Sequence, residues 1–218
     1  MTTKQNNSCK NVKLDEGEGI IKFQCHEQAA KKNISPKEIA LLDLLIDERN
    51  YYASQKMIGF ECGVGYGNIS IRYQAGFWIS ASQTGHLTLL DRDDFSYVDQ
   101  YSIRENSLVS QGKFPASSES LTHALLYEVD QSIQVVLHIH NGPMWKKTLE
   151  HFARTPQNIL YGTPEMANGV RQLFTNNAFT KNNYFVMAGH FGGVIFFGKN
   201  FSQIEKEYLK IINFIKFQ

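Results

Sequence analysis

Apolar residues recur at helical spacing in four stretches of the chain, and at strand spacing in several shorter ones. Ser35-Pro36-Lys37-Glu38 reads as a capping box with proline at the first helical position, opening a helix to about Asn50 whose buried stripe is Leu41, Leu42, Leu45 and Ile46. From Ser118 a second helical pattern gives Leu121, Ala124, Leu125 and Glu128 one edge, with Glu119 in the first turn. Thr163-Pro164 caps a third, carrying Met166, Val170, Leu173 and Phe174. Ser202-Gln203-Ile204-Glu205 reads as another capping box, and Ile204, Leu209, Ile211, Ile212 and Ile215 then form the packed face of a closing helix. Between these lie strand patterns at 69–72 and 77–80, a hairpin around Gln74-Ala75-Gly76, then at 95–98, 133–139, 184–188 and 194–197. Thr84-Gly85 marks a turn, and Gly192-Gly193 gives a tight connection free to adopt positive φ.

Recurring hairpins among helices predict a largely antiparallel sheet covered by helices. At 218 residues the chain suffices for one full core, assigned to 19–218 behind a polar arm at 1–18, with the residues ahead of the first helix loosely attached. A net charge of +1 excludes a strong general pull toward nucleic acid or an anionic membrane. The polar start and the lack of a long apolar run make the cytoplasm the expected compartment. Cys9, Cys25 and Cys62 are odd in number and widely spaced, so thiols are expected rather than a disulfide framework. Cys62, beside the glycine-rich stretch, is a weak nucleophile candidate because no partner histidine lies nearby in sequence.

Candidate chemistry concentrates at His138-Ile139-His140. Residues two apart on a strand share a face, so these imidazoles can converge on one ion, although His-x-His at a strand end is as readily structural. A second apolar run leads into Gly189-His190, and Glu119 follows Ser117-Ser118 upstream. Three histidines and a carboxylate form a plausible zinc set. His123, four residues after Glu119, is a candidate partner for it, though a plain core histidine is the better account.

Gly67-Asn68-Ile69-Ser70, Thr84-Gly85, Ser117-Ser118-Glu119, His138-Ile139-His140, Tyr161-Gly162-Thr163 and Gly189-His190, in this order, make the chain resemble the class II aldolase/adducin family from about Pro36 onward. The resemblance implies an α/β fold with three α/β/α layers around a mainly antiparallel sheet. It implies a Zn2+ or other divalent cofactor on His138, His140 and His190, with Glu119 as the catalytic carboxylate. Asn68, Thr84, Gly85, Ser117 and Ser118 take the phosphate-binding positions, where hydroxyls and a helix N-terminus suit an oxyanion. The implied activity is a lyase cleaving a small hydroxy-carbonyl compound, a phosphorylated sugar, through a zinc-stabilised enediolate; the implied assembly is a homotetramer. An epimerase or dehydratase, or a non-catalytic adducin-like module, is the alternative, and Lys146 or Lys147 would have to serve a Schiff-base aldolase. Two departures stand out: the family's Thr-Pro-Ser/Thr-Gly loop is Ser80-Ala81-Ser82-Gln83-Thr84-Gly85 here, and Phe191 separates His190 from Gly192-Gly193. Tyr161 is a candidate for the family's proton-donating tyrosine, with packing at a helix entry the stronger reading.

Overall fold

The computed structural model describes residues 20–29, 34–61 and 63–217. The expected arm at 1–18, Cys9 and Cys62 lie outside them. The chain order is β1 (Gln24–Gln28), α1 (Pro36–Ser54), β2 (Gly59–Glu61), β3 (Val64–Tyr66), β4 (Asn68–Tyr73), β5 (Gly76–Ser80), β6 (Phe95–Ser102), β7 (Ser107–Gln111), α2 (Ser120–Val129), β8 (Val135–His140), α3 (Gly142–Thr148), α4 (Pro164–Thr175), β9 (Tyr184–Val186), β10 (Gly193–Gly198) and α5 (Phe201–Lys216). Eight strands form one sheet in the order β1-β7-β6-β5-β4-β8-β10-β9, and β2 pairs with β3 separately. Of the neighbours in this sheet β1 and β7 run parallel, and the others are antiparallel.

Strand alternation sorts the core into two halves. Ile69 and Ile71 of β4, Trp78 of β5, Val135, Leu137 and Ile139 of β8 and Val194 and Phe196 of β10 pack with Leu42 and Leu45 of α1 and Ile204 and Ile211 of α5. Phe77, Ile79, Val136, Ile195 and Phe197 face the other way, against Leu121 and Leu125 of α2 and Met166 and Val170 of α4. Helices thus cover both faces of a mainly antiparallel sheet, as expected.

The helix caps agree with the sequence in two cases and differ in two. Ser35 Oγ accepts from Glu38 N at 3.2 Å and Thr163 Oγ1 from Met166 N at 3.3 Å. The last helix starts earlier than its expected box, because Asn200 Oδ1 accepts from Gln203 N at 2.9 Å and Ser202 falls within the first turn. Leu209 on that helix is exposed rather than packed. In α2 the regular helix begins at Ser120, and Glu119 takes the cap position without a side-chain capping bond. Ahead of α1, where no element is expected, β1 joins the sheet edge, and Phe23 just before it is buried in the second half-core. Cys25 of β1 is a free thiol, its pKa raised by burial first and by Glu27 next.

One polar network lies inside the α2-side core. Ser70 Oγ sits 2.7 Å from both His123 Nδ1 and Tyr127 Oη. His123 is therefore a core histidine bonded to β4, and its pKa is pulled down to about 3 by burial. Because the folded value lies below the unfolded ~6.5, stability from this group is complete above pH 6.5 and is lost as pH falls toward 3, by up to about 1.4 kcal/mol per unit. His123→Asn should flatten the stability–pH profile over that window in urea unfolding. A slope unchanged from wild type would rule this out.

Candidate metal centre

β8 carries His138 and His140 on one face between two antiparallel neighbours, with Asn68 of β4 opposite His138 and Gly193 of β10 opposite His140. His190 belongs to the turn entering β10; its N–H donates to Met187 O at 3.1 Å and its carbonyl accepts from Gly193 N at 3.0 Å. That turn absorbs the additional Phe191, with Gly192 at φ +82. His140 Nε2 lies 3.0 Å from both His138 Nε2 and His190 Nε2, and the three ligand atoms are all within 4.8 Å of one another. From the α2 side Glu119 Oε1 reaches His190 Nε2 at 3.3 Å and His138 Nε2 at 3.5 Å.

This donor set fits a divalent ion. The four contacts bracket the ~3.3 Å edge of a tetrahedron built on zinc–nitrogen bonds of about 2.05 Å. Burial first, then the neighbouring imidazoles, hold His138 and His140 well below the ordinary histidine pKa, so both stand neutral with lone pairs available. Glu119 is itself buried, at 2% exposure, and points at this cluster rather than at its own helix N-terminus.

Beside the cluster lies a recess of about 30 Å³, lined by Asn68, Thr84, Gly85, Ser117, Ser118, Glu119, His138 and Tyr161 among others. All five positions implied for phosphate are therefore brought together. Ser82 N–H donates to Pro115 O at 2.8 Å and holds the 81–85 loop against the Ser117 segment, while Ala81 N–H donates to Asp94 O at 2.8 Å and ties the loop to the residue ahead of β6. Gln83, at φ +63, takes up the extra loop residue so that Thr84–His86 still close into a single 3-10 turn. Thr84 Oγ1 donates to Ala81 O at 2.9 Å, so its hydroxyl hydrogen is spent within the loop. At Gly85 a Cβ would lie 2.3 Å from Gly59 O; the glycine lets the β2–β3 ribbon close over this turn.

Tyr161 is buried with its ring 4.6 Å from that of His190, and Lys22 Nζ stands 3.6 Å from the Tyr161 ring centroid. Tyr66, which sequence reasoning missed, packs 5.4 Å from the His140 ring. The His123 side chain bonds to Ser70 through Nδ1 rather than to the Glu119 carboxylate; it meets Glu119 only through the helix backbone. Lys146 and Lys147 are exposed on α3, Lys147 reaching Ile215 O, so the Schiff-base lysine has no support.

A Cβ on Gly193 would fall 2.7 Å from His190 Cδ2 and 3.2 Å from His138 Cε1. Gly193→Ala should therefore splay the two imidazoles, lowering bound metal per chain and costing about 1–3 kcal/mol in stability. Elemental analysis and thermal unfolding check this; a variant with wild-type metal content would overturn it.

A family model described as "Class II Aldolase and Adducin N-terminal domain" matches residues 52–206. No curated protein matches the chain in sequence. Among solved structures, L-fuculose-1-phosphate aldolase from Thermus thermophilus is similar with a TM-score of 0.58 at 16% identity, over 83% of this chain and 96% of that one. YgbL from Klebsiella pneumoniae, a candidate aldolase/epimerase/decarboxylase, gives 0.61 at 14% identity, over 82% and 88%. A sugar-phosphate aldolase from Thermotoga maritima gives 0.57 at 13%, over 80% and 94%. At these identities the structural likeness speaks for the fold. Together with the family match over residues 52–206, it places the chain in the class II aldolase/adducin family.

Proposed function

We propose that the chain is a metal-dependent lyase that cleaves a carbon–carbon bond in a small hydroxy-carbonyl compound, a sugar phosphate. The observation that carries this reading is the meeting of three imidazole Nε2 atoms and Glu119 Oε1 at the edge of a recess lined by Asn68, Ser117 and Ser118. A bound zinc or similar divalent ion supplies Lewis-acid stabilisation of the negative charge developing on the substrate's oxygens. His138, His140 and His190 hold it, already oriented, with His138 and His140 kept neutral by burial. As the carbon–carbon bond breaks, its electron pair stays on the fragment that becomes the enediolate, the hydroxyl on the other carbon loses its proton to become a carbonyl, and the enediolate carbon gains one; Glu119, on the substrate side of this cluster, carries that proton. Asn68 and the two serines bind the anionic group, with the Gly85 end of the loop closing the recess.

An epimerase would use the same bond cleavage followed by re-addition, and a dehydratase would remove water beside the carbonyl; both draw on the same cluster. The histidine–carboxylate cluster argues against an adducin-like association module, which has no use for one. A homotetrameric, cytoplasmic enzyme belongs to the same proposal on family analogy; among the described residues no helix is long and apolar enough to cross a membrane.

Three measurements test the reading. Purified protein should carry about one divalent ion per chain, and His138→Ala and His140→Ala should lose most of it; equal content in all three would end the metal assignment. Glu119→Gln should lower turnover about 100- to 10,000-fold, with a much smaller effect on metal content and melting temperature because the three imidazoles remain in place. Normal turnover in that variant would remove Glu119 from the chemistry. Phosphoglycolohydroxamate should protect the metal-loaded protein against thermal unfolding more than glycolohydroxamate does. Equal protection by both would leave the metal chemistry standing and move the substrate to unphosphorylated compounds.

A further inference from the structure

Arg49 lies on the buried stripe of α1, after Leu42 and Leu45 and before Tyr52, and is 0% exposed. It is outside the family match, which begins at residue 52. Its guanidinium donates from Nη2 to Thr84 O at 2.9 Å, and from Nη1 to Thr88 O at 3.3 Å and Asn50 Oδ1 at 3.4 Å. Nε has no hydrogen-bond partner, and among the described residues no carboxylate comes within ion-pair distance of it. Burial lowers its pKa to about 10 while Asp94 opposes the shift, so the group remains a cation at neutral pH.

An unpaired cation in the protein interior is costly, and a protein retains one where an anion answers it or where a hydrogen-bonded fork is indispensable. The turn it touches also lines the recess, through Thr84 and Gly85. Because the peptide is planar and trans, drawing the Thr84 carbonyl toward Arg49 aims the Gly85 N–H away from it. A cation on the carbonyl oxygen also polarises that peptide, strengthening its N–H as a donor. The other lining groups add no positive side chain: the recess has Glu119 as a carboxylate and, among the described residues, no lysine or arginine.

We propose that Arg49 is the charge behind the anion site: it acts through the Thr84–Gly85 peptide to select a phosphorylated over an unphosphorylated substrate. This rests on the phosphate reading above. Arg49 touches no substrate; it is a positioning residue whose field reaches the recess through one peptide group. The competing account is a mechanical staple between α1 and the 84–88 loop.

The two accounts part in the response to charge. With zinc-loaded full-length protein, affinities for phosphoglycolohydroxamate and glycolohydroxamate are measured by thermal-shift titration, and their ratio is the readout. Arg49→Gln, which removes the charge but keeps a donor, should reduce the ratio about tenfold, as expected for a buried charge acting through an effective dielectric of ~20, with glycolohydroxamate affinity and zinc content unchanged. Arg49→Lys, which keeps the charge but not the fork, should stay within about threefold of wild type. A wild-type ratio in Arg49→Gln, or an equal fall in Arg49→Lys, overturns the proposal in favour of the staple. Should Arg49→Gln fail to fold, Asp94→Asn carries the test, since it removes the carboxylate whose field opposes Arg49 and should raise the ratio; an unchanged ratio counts against the proposal. If wild type shows no preference for the phosphorylated ligand, the phosphate reading itself fails and this one with it, a result distinct from failure of the variants alone.

Discussion

The register of β8 between β4 and β10 is the constraint on which the site depends. Asn68, His138 and Ile195 stand in one row across the three strands, with His140 opposite Gly193 in a neighbouring row. Side chains on a strand alternate at period two, so a slip of one residue would send both histidines into the α1–α5 half of the core and present Leu137 and Ile139 to Glu119. The apolar residues of β8 prevent that slip, because Val135, Leu137 and Ile139 are buried on the far face. Packing that has no chemical role thus fixes where the chemistry occurs.

Much of this was legible in the chain. The apolar run 133–139, the hairpin at 74–76 and the caps at Ser35 and Thr163 are local signals, and local interactions decided them. The histidines and Glu119 were legible because donor type and spacing report chemistry directly. The strand β1 was not, since five mostly polar residues at a sheet edge, four of them exposed, carry no periodic signature. The start of α5 was misplaced because two capping residues compete within three positions, and Asn200 wins by reaching Gln203 N. Glu119 gives up its capping bond for a tertiary one, which no local pattern announces.

Arg49 did leave a trace. Its position in the row Leu42, Leu45, Arg49, Tyr52 places a charge where the helical period demands an apolar group. Such a break in pattern marks a residue whose environment is supplied by a distant segment, here the 84–88 loop. In the same loop the hydroxyl of Thr84, chemically suited to an anion, is turned inward to Ala81.

His138 and His140 are mounted on a paired strand, and His190 on a turn closed by its own backbone bonds. The sheet and the turn fix the backbones that carry the three imidazoles. Under the proposed function, a cation binding there would need to order little backbone, in contrast to domains that fold around their metal. A preassembled site of imidazole nitrogens with one carboxylate oxygen also discriminates weakly among the later first-row divalent ions, whose affinities rise in a common order whatever the protein. Which metal such a site would carry is then a property of the cell's supply as much as of the sequence.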